Sequence, residues 1–245
     1  MSHALSTAAR IVIVALLTIY LIRQCRKPSS VVGRLLARSM NTSHAALTRW
    51  GLSHVQVGIK SAILDVGCGG GRTIETVAST TTGIVCGIDY SSASVAVARQ
   101  RNRAAVDAGR VRIEEASVAA LPFANETFDL AIAVETHYYW PDLPANVREV
   151  VRVLKPGGTF IIIAETYRGR SNDWLYRPVM QFMLGATYLT PEQHRTLLVD
   201  AGCDAVDVFE EKARGWICAI GHASAPSASC PTGPSVNPLS VHGSG

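Results

Sequence analysis

Two hydrophobic rhythms alternate along this chain. Short apolar runs stand at Ala62–Val66, Gly83–Asp89, Val111–Glu114, Phe128–Val134 and Thr159–Ala164, and the segments between them carry apolar residues at helical spacing. Phe128–Val134 and Thr159–Ala164 are apolar on both faces, the pattern of strands buried inside a parallel sheet. A helix is predicted from Arg72, and a long one from the cap Ser91 to about Ala108, with Gly109 as its stop. Asp142 opens a third, whose Val147, Val150, Val151 and Leu154 share one face, and Lys155-Pro156-Gly157-Gly158 is predicted to end it. Thr190-Pro191-Glu192-Gln193 combines a capping box with proline at the first position and predicts a helix running to Gly202. Ala205–Phe209 and Trp216–Ile220 read as an antiparallel strand pair around Glu210-Glu211-Lys212. The expected fold class is therefore α/β: a doubly wound, mostly parallel seven-stranded sheet with helices on both faces and a C-terminal antiparallel strand pair.

The rhythm fails at both ends. Ile11–Ile22 is an unbroken apolar run between Arg10 and the basic residues Arg23, Arg26 and Lys27. It falls short of the ~20 residues a spanning helix needs unless extended back through Ala4–Ala9 and across Arg10. Residues 1–27 are read as a candidate membrane anchor, a transmembrane helix; the competing reading is a helix buried against the domain. No small-x-small cleavage site follows the run, and the heavier positive flank on its C-terminal side would hold the domain in the cytosol. The expected location is membrane-associated with a cytosolic catalytic domain, or cytoplasmic if the segment packs inward. Residues 28–60 are read as cap helices, Gly33–Met40 and Thr42–Trp50, the second opened by Thr42 or Ser43. The folded domain is placed at 61–222, with Tyr167–Tyr188 irregular apart from one helical turn near Pro178–Leu184. Residues 223–245 are mostly Ser, Pro, Ala and Gly with almost no charge, and are expected to be a disordered tail.

Composition narrows the class. A chain of 245 residues fits one sizeable domain plus appendages. Its formal net charge of +4 is scattered along the sequence, whereas a nucleic-acid footprint concentrates Lys and Arg among aromatics; nucleic acid is not an expected partner. Cys25, Cys68, Cys86, Cys203, Cys218 and Cys230 form no C-x-x-C pair and no ligand rhythm with histidine. A reduced compartment without a metal site is the simpler account.

The chemistry gathers at Ile63-Leu64-Asp65-Val66-Gly67-Cys68-Gly69-Gly70-Gly71, a strand running into a glycine-rich turn before a helix. Such a turn lets backbone N–H groups approach a ligand closely. A dinucleotide fingerprint is disfavoured because Arg72 occupies its last position, and no Gly-Lys-Ser/Thr follows to make a phosphate loop. What stands here is Asp65-x-Gly67-x-Gly69-x-Gly71, which resembles motif I of the S-adenosylmethionine (SAM) dependent methyltransferases of Rossmann-like fold. Ala116-Ser117-Val118-Ala119-Ala120-Leu121-Pro122-Phe123 resembles the loop after the third strand in the ubiquinone-biosynthesis type, Gly-Asp-Ala-x-x-Leu-Pro-Phe. The start of Glu135–Asp142 resembles motif IV, and Lys155–Gly158 resembles a turn common among small-molecule members. The resemblance covers roughly Ser61–Ala164.

The resemblance implies SAM as cosubstrate and a set of contacts. Gly67, Cys68 and Gly69 would meet the methionine part and Asp65 its amino group. Asp89, an acidic residue at the end of the second strand, sits where a carboxylate accepts from ribose hydroxyls, with Tyr90 along the adenine edge. Ser117 stands where an Asp usually accepts from the adenine amino group; its hydroxyl still accepts, without the charge. Val118 would offer a backbone N–H to the ring. Glu135 follows the fourth strand and is read as a further pocket contact. His137 is the expected general base because its ordinary pKa lies near neutrality, with Glu135, Tyr138 and Tyr139 as rivals; His44 and Trp50 are pocket candidates from the cap. The expected function is methyl transfer to a small, hydrophobic acceptor. The alternatives are a non-catalytic SAM- or nucleoside-binding regulatory or scaffold protein at a membrane, and an NAD-dependent oxidoreductase. Neither acceptor identity nor oligomeric state is written in a motif.

Overall fold

The computed structural model describes residues 10, 12–14, 44–171 and 173–225. The strands are β1 Ile63–Val66, β2 Val85–Asp89, β3 Val111–Glu115, β4 Phe128–Val134, β5 Leu154–Ala164, β6 Cys203–Glu211 and β7 Trp216–Ala223. They form one sheet in the order β3-β2-β1-β4-β5-β7-β6. β1 to β5 pair in parallel, and β7 runs antiparallel to both β5 and β6. The helices are α1 Ala45–Leu52, α2 Arg72–Ala78, α3 Ser92–Arg101, α4 Arg103–Asp107, α5 Leu143–Arg152, α6 Asp173–Pro178 and α7 Pro191–Asp200. This is the doubly wound, seven-stranded sheet expected from the alternating rhythm, with its C-terminal strand pair.

Alternation along the strands builds two cores. Leu64, Ala131, Ala133, Phe160 and Ile162 face Leu143, Val147 and Val150 of α5 and Leu197 and Leu198 of α7. Ile63, Leu130, Ile132, Ile161 and Ile163 face the other way, against Leu47 of α1, Ile74 and Val77 of α2, and Val95 and Ala98 of α3. Both faces of the central strands are thus dry, which is why those strands read as unbroken apolar runs. β1 lies between β2 and β4, so the crossover direction reverses on either side of it. That switch point, at the carboxyl ends, is where ligands bind in such sheets.

Some local expectations change. The helix from Ser91 breaks at Asn102, whose backbone leaves helical geometry (φ −98°, ψ 17°) while its amide donates to Gly71 O at 2.9 Å and Ala98 O at 3.0 Å. Lys155–Gly158 lies inside β5, where the pairing with β4 slips between Phe128 and Leu130 and Gly157 takes φ +74°. The turn residues bend the strand instead of preceding it. α1 opens at His44, with no side-chain cap bond; Thr42 and Ser43, the expected caps, lie outside the described residues. The helical turn near Pro178 is longer than expected: α6 continues into a π-helical turn at Val179–Met183.

The membrane assignment is corrected. Among the described residues no helix is long and apolar enough to cross a membrane. Of the Ile11–Ile22 run only residues 12–14 are described, in helix, and the run is itself shorter than a span requires. The rest of that segment, the Gly33–Met40 helix and residues 226–245 of the tail lie outside the described residues. β7 runs one residue past the expected domain end, to Ala223.

Candidate active site

β1 ends at Val66 and the chain turns sharply. Gly67, Gly69 and Gly71 all take positive φ, at 76°, 50° and 77°. Gly71 also has no room for a side chain, since a Cβ there would lie 2.8 Å from Ala98 Cα, and the other two bear on the space around the turn. A Cβ on Gly67 would lie 2.1 Å from Thr136 Oγ1, so the turn can nest against the β4 loop only without one. A Cβ on Gly69 would meet nothing among the described residues within 4 Å, and this glycine lines a cavity. The turn is tied to the end of β2. Gly67 and Cys68 both donate N–H to Ile88 O at 2.8 Å, and Gly69 N–H donates to Asp89 Oδ2 at 2.9 Å.

A cavity of about 350 Å³ opens over this turn, within the range of small-molecule sites. It runs along the carboxyl ends of the strands. Toward β2 and β3 its wall is Asp89, Tyr90, Ser117 and Val118; at the centre are Asp65, Gly67, Cys68 and Gly69; toward β4 are Glu135, Thr136, Tyr139 and Trp140, with His44 and Thr48 from α1. Every cofactor-contact residue expected from the sequence therefore lines one cavity.

Two aspartates dominate its floor. Asp89 Oδ1 accepts from Ser91 N–H at 2.9 Å while Oδ2 takes the Gly69 bond, which fixes the carboxylate and leaves lone pairs free for donors from the cavity. Burial raises its pKa against the pull of those two N–H groups. Asp65 is 1% exposed, and among the described residues its Oδ2 has no hydrogen-bond partner. Burial first, and then the Asp89 charge, push its pKa up to about 8. A buried carboxyl oxygen without a partner is costly, and this one lines the cavity where a cationic or N–H-bearing ligand group would satisfy it. Ser117 Oγ accepts from Ala119 N–H at 3.2 Å.

His137 lies elsewhere than expected. It begins a 3₁₀ turn, His137–Tyr139, and is 1% exposed. It is absent from the cavity wall, and its Nε2 sits 3.2 Å from Nε2 of His194 on α7. The tautomers follow by elimination. His194 Nδ1 lies 2.8 Å from Thr190 O, and a carbonyl only accepts, so Nδ1 carries the proton. In the neutral ring Nε2 then accepts, and His137 Nε2–H donates to it. Burial holds His137 well below its ordinary range and His194 at about 4. The pair ties the β4 loop to α7 and presents no nitrogen to a substrate, which argues against His137 as the base.

Glu135 does face the cavity. It adopts φ +58°, rare for a residue with a side chain. Tyr138 OH and the Glu165 N–H donate to its two carboxylate oxygens. Burial and the nearby Glu165 charge raise its pKa to about 8. Tyr138 is buried behind it, whereas Tyr139 and Trp140 reach the wall. Of the two cap candidates, His44 lines the cavity, with Nε2 3.7 Å from Glu165 Oε2. Trp50 does not; it packs on His54 and Trp216 at 5.1 and 5.8 Å between ring centres. Thr48 and Glu165 were missed by sequence reasoning. Glu165 had a readable signal, since it ends a strand as Asp89 and Glu135 do.

The fold and the cavity define a class: a Rossmann-like α/β domain with a nucleoside-sized site at its switch point, floored by a strand-end aspartate and a glycine turn. Residues 64–162 match the family described as methyltransferase domain. The chain is 32% identical over 151 residues to methyltransferase GfsG of Streptomyces halstedii, covering 60% of this chain and 54% of that protein. It is 32% identical over 110 residues to cycloartenol-C-24-methyltransferase 1 of Oryza sativa subsp. japonica, covering 44% and 32%. The matched stretch thus spans about half of these relatives, or less. A chain of the complex between the Haloferax volcanii Trm112 methyltransferase activator and a putative methyltransferase superposes with TM-score 0.65 at 22% identity, covering 77% of this chain and 94% of that one, a likeness of fold. Over residues 64–162 the chain is therefore similar to the methyltransferase-domain family, and the sheet and helices around that stretch have the fold of the superposed methyltransferase chain.

Proposed function

We propose that this protein transfers the methyl group of SAM to a small, predominantly hydrophobic acceptor. The observation that carries the reading is the single cavity joining Asp89, the partnerless Asp65 oxygen and Glu135. The residues present fit SAM on structural grounds: Asp65 has an unmet need for a donor, and the space over Gly69 is open where a Cβ would otherwise stand.

SAM supplies an activated methyl on a sulfonium, so the protein's task is alignment more than bond chemistry. Asp89, fixed by Gly69 and Ser91, accepts from the vicinal ribose hydroxyls. Ser117 and Val118 bound the adenine, with Tyr90 at its edge. Asp65 holds the α-amino group, and backbone at Gly67–Gly69 meets the methionine chain. At the β4 end of the cavity Glu135 and Tyr139 would face the acceptor, and Val134, Trp140 and Pro141 would give it an apolar wall. The names of the curated relatives, a sterol-type methyltransferase among them, support a small hydrophobic acceptor.

The test has two readouts. SAM should raise the melting temperature of the purified protein, and labelled methyl from SAM should enter an organic-extractable product when the protein is added to fractionated cell extract. Absence of any SAM-induced stabilisation at millimolar SAM would sink the reading.

A further inference from the structure

At the acceptor end of the cavity, His44 at the N-cap of α1 and Glu135 after β4 line the wall, and Glu165 after β5 stands just behind them, so that three donors from three separate elements meet. One ligand atom from each lies within 4.8 Å of the others. His44 Nε2 and Glu165 Oε2 are 3.7 Å apart. That is too long for a direct hydrogen bond. It is close to the spacing of two ligands that share an ion at ~2.0–2.2 Å with a tetrahedral or wider angle, roughly 3.3–3.8 Å.

We propose that His44, Glu135 and Glu165 bind a divalent first-row transition-metal cation. The two carboxylates come within 4.8 Å of one another, and among the described residues no lysine or arginine pairs with either; His44 is the ion-pair partner of Glu165 alone. A cation between them would relieve that repulsion. One imidazole with two carboxylates selects Mn²⁺, Co²⁺ or Zn²⁺ over Ca²⁺ and Mg²⁺, which take oxygen ligands, and over thiolate-seeking ions. Outer contacts are in place: Tyr138 OH and the Glu165 N–H hold the Glu135 carboxylate, as second partners commonly orient a metal ligand. His44 and Glu135 also line the cavity, so an ion there would keep open positions toward it. Metal binding stands apart from the methyltransferase reading. A role in polarising an acceptor oxygen rests on that reading.

The experiment is calorimetric titration of the full chain, free of SAM, with Mn²⁺ and separately with Zn²⁺. One saturable site in the micromolar range is expected for at least one of the two ions, weakened tenfold or more in His44→Ala and in Glu165→Gln. Glu165 is outside the cavity wall, so Glu165→Gln should keep its SAM-induced thermal shift, which shows that the variant folds and separates loss of metal from loss of SAM binding. No saturable binding of either ion at millimolar concentration, or binding equally tight in both variants, overturns the proposal.

Discussion

The two ends of the cavity are made of different materials. Toward β2 and β3, main-chain groups do most of the work: Gly67, Cys68 and Gly69 are tied to the end of β2, and Asp89 is fixed by two backbone N–H bonds. Toward β4 and β5, the polar atoms belong to side chains delivered by a helix cap and a residue with left-handed backbone, His44 and Glu135, backed by the strand-end Glu165 just outside the wall. The first end is preorganised by the sheet itself. The second depends on how distant segments pack, so it is the end that can change its chemistry without disturbing the fold.

The largest expected effect tests what holds the second end in place. The His137–His194 pair sits behind the β4 loop, and His194 titrates at about 4 against an ordinary 6.5. A histidine with depressed folded pKa contributes stability that is present above the ordinary value and lost as pH falls toward the folded one. Between pH 6.5 and 4 the unfolded chain binds protons that the folded one refuses, at a cost of about 2–4 kcal/mol. In the double variant His137→Leu/His194→Leu that slope should disappear. Removing both partners leaves no orphaned N–H, so stability at neutral pH should be nearly kept. Denaturant melts across the pH range read this directly. The double variant should still show a SAM-induced thermal shift, because neither ring lines the cavity; superimposable pH slopes would show that the pair titrates freely.

At the first end, Asp89→Ala should weaken SAM by roughly a hundredfold, about 2–3 kcal/mol, from the loss of charge-assisted bonds to the ribose and of the anchor for Gly69. Calorimetry measures it. A loss of less than about threefold would mean that the ribose is held elsewhere.

Asp65→Asn sharpens the contrast through pH. The raised Asp65 pKa means that its carboxyl must release a proton before it can pair with an ammonium. SAM affinity in the parent should therefore rise with pH between about 6 and 7.5, by roughly tenfold. The same shift makes the ligand-free fold less stable as pH climbs from the ordinary carboxyl range toward 8, since the folded state holds the proton longer. Asp65→Asn should flatten the affinity profile. A parent profile that is already flat would remove Asp65 from the amino-group site.

The two ends also differ in how far the sequence discloses them. Asp65, the glycine turn, Asp89 and the Ser117-Val118 loop are each adjacent to a strand whose apolar run is visible, so the fold and that half of the cavity could be read together. His44 and Glu165 are far apart in sequence and meet only after α1 lies across the end of β5. His137 misled for a local reason. One residue of difference in a 3₁₀ turn decides whether a side chain faces the cavity or α7, and the period of such a turn cannot be read from a polar, aromatic run. The bend in β5 at Lys155–Gly158 was hidden similarly, because Pro-Gly-Gly signals a change of direction without saying whether pairing continues through it.

The smallest effect concerns Ser117, which stands where the resembled pattern has an aspartate. A serine hydroxyl offers two uncharged acceptor lone pairs, and here one of them already takes the Ala119 N–H. Ser117→Ala should cost SAM only about twofold to fourfold, the size of one exposed neutral hydrogen bond. Ser117→Asp adds charge assistance toward an adenine amino donor and should tighten SAM by a similar factor. The two variants move affinity in opposite directions only if the adenine lies against this loop. If both weaken binding equally, the loop is shaping the cavity wall and the adenine amino group is satisfied by another acceptor. The comparison is most informative with a SAM analogue lacking that amino group: it should erase the Ser117→Asp gain while leaving the Asp89→Ala loss intact, which separates the base from the ribose within the same end of the cavity.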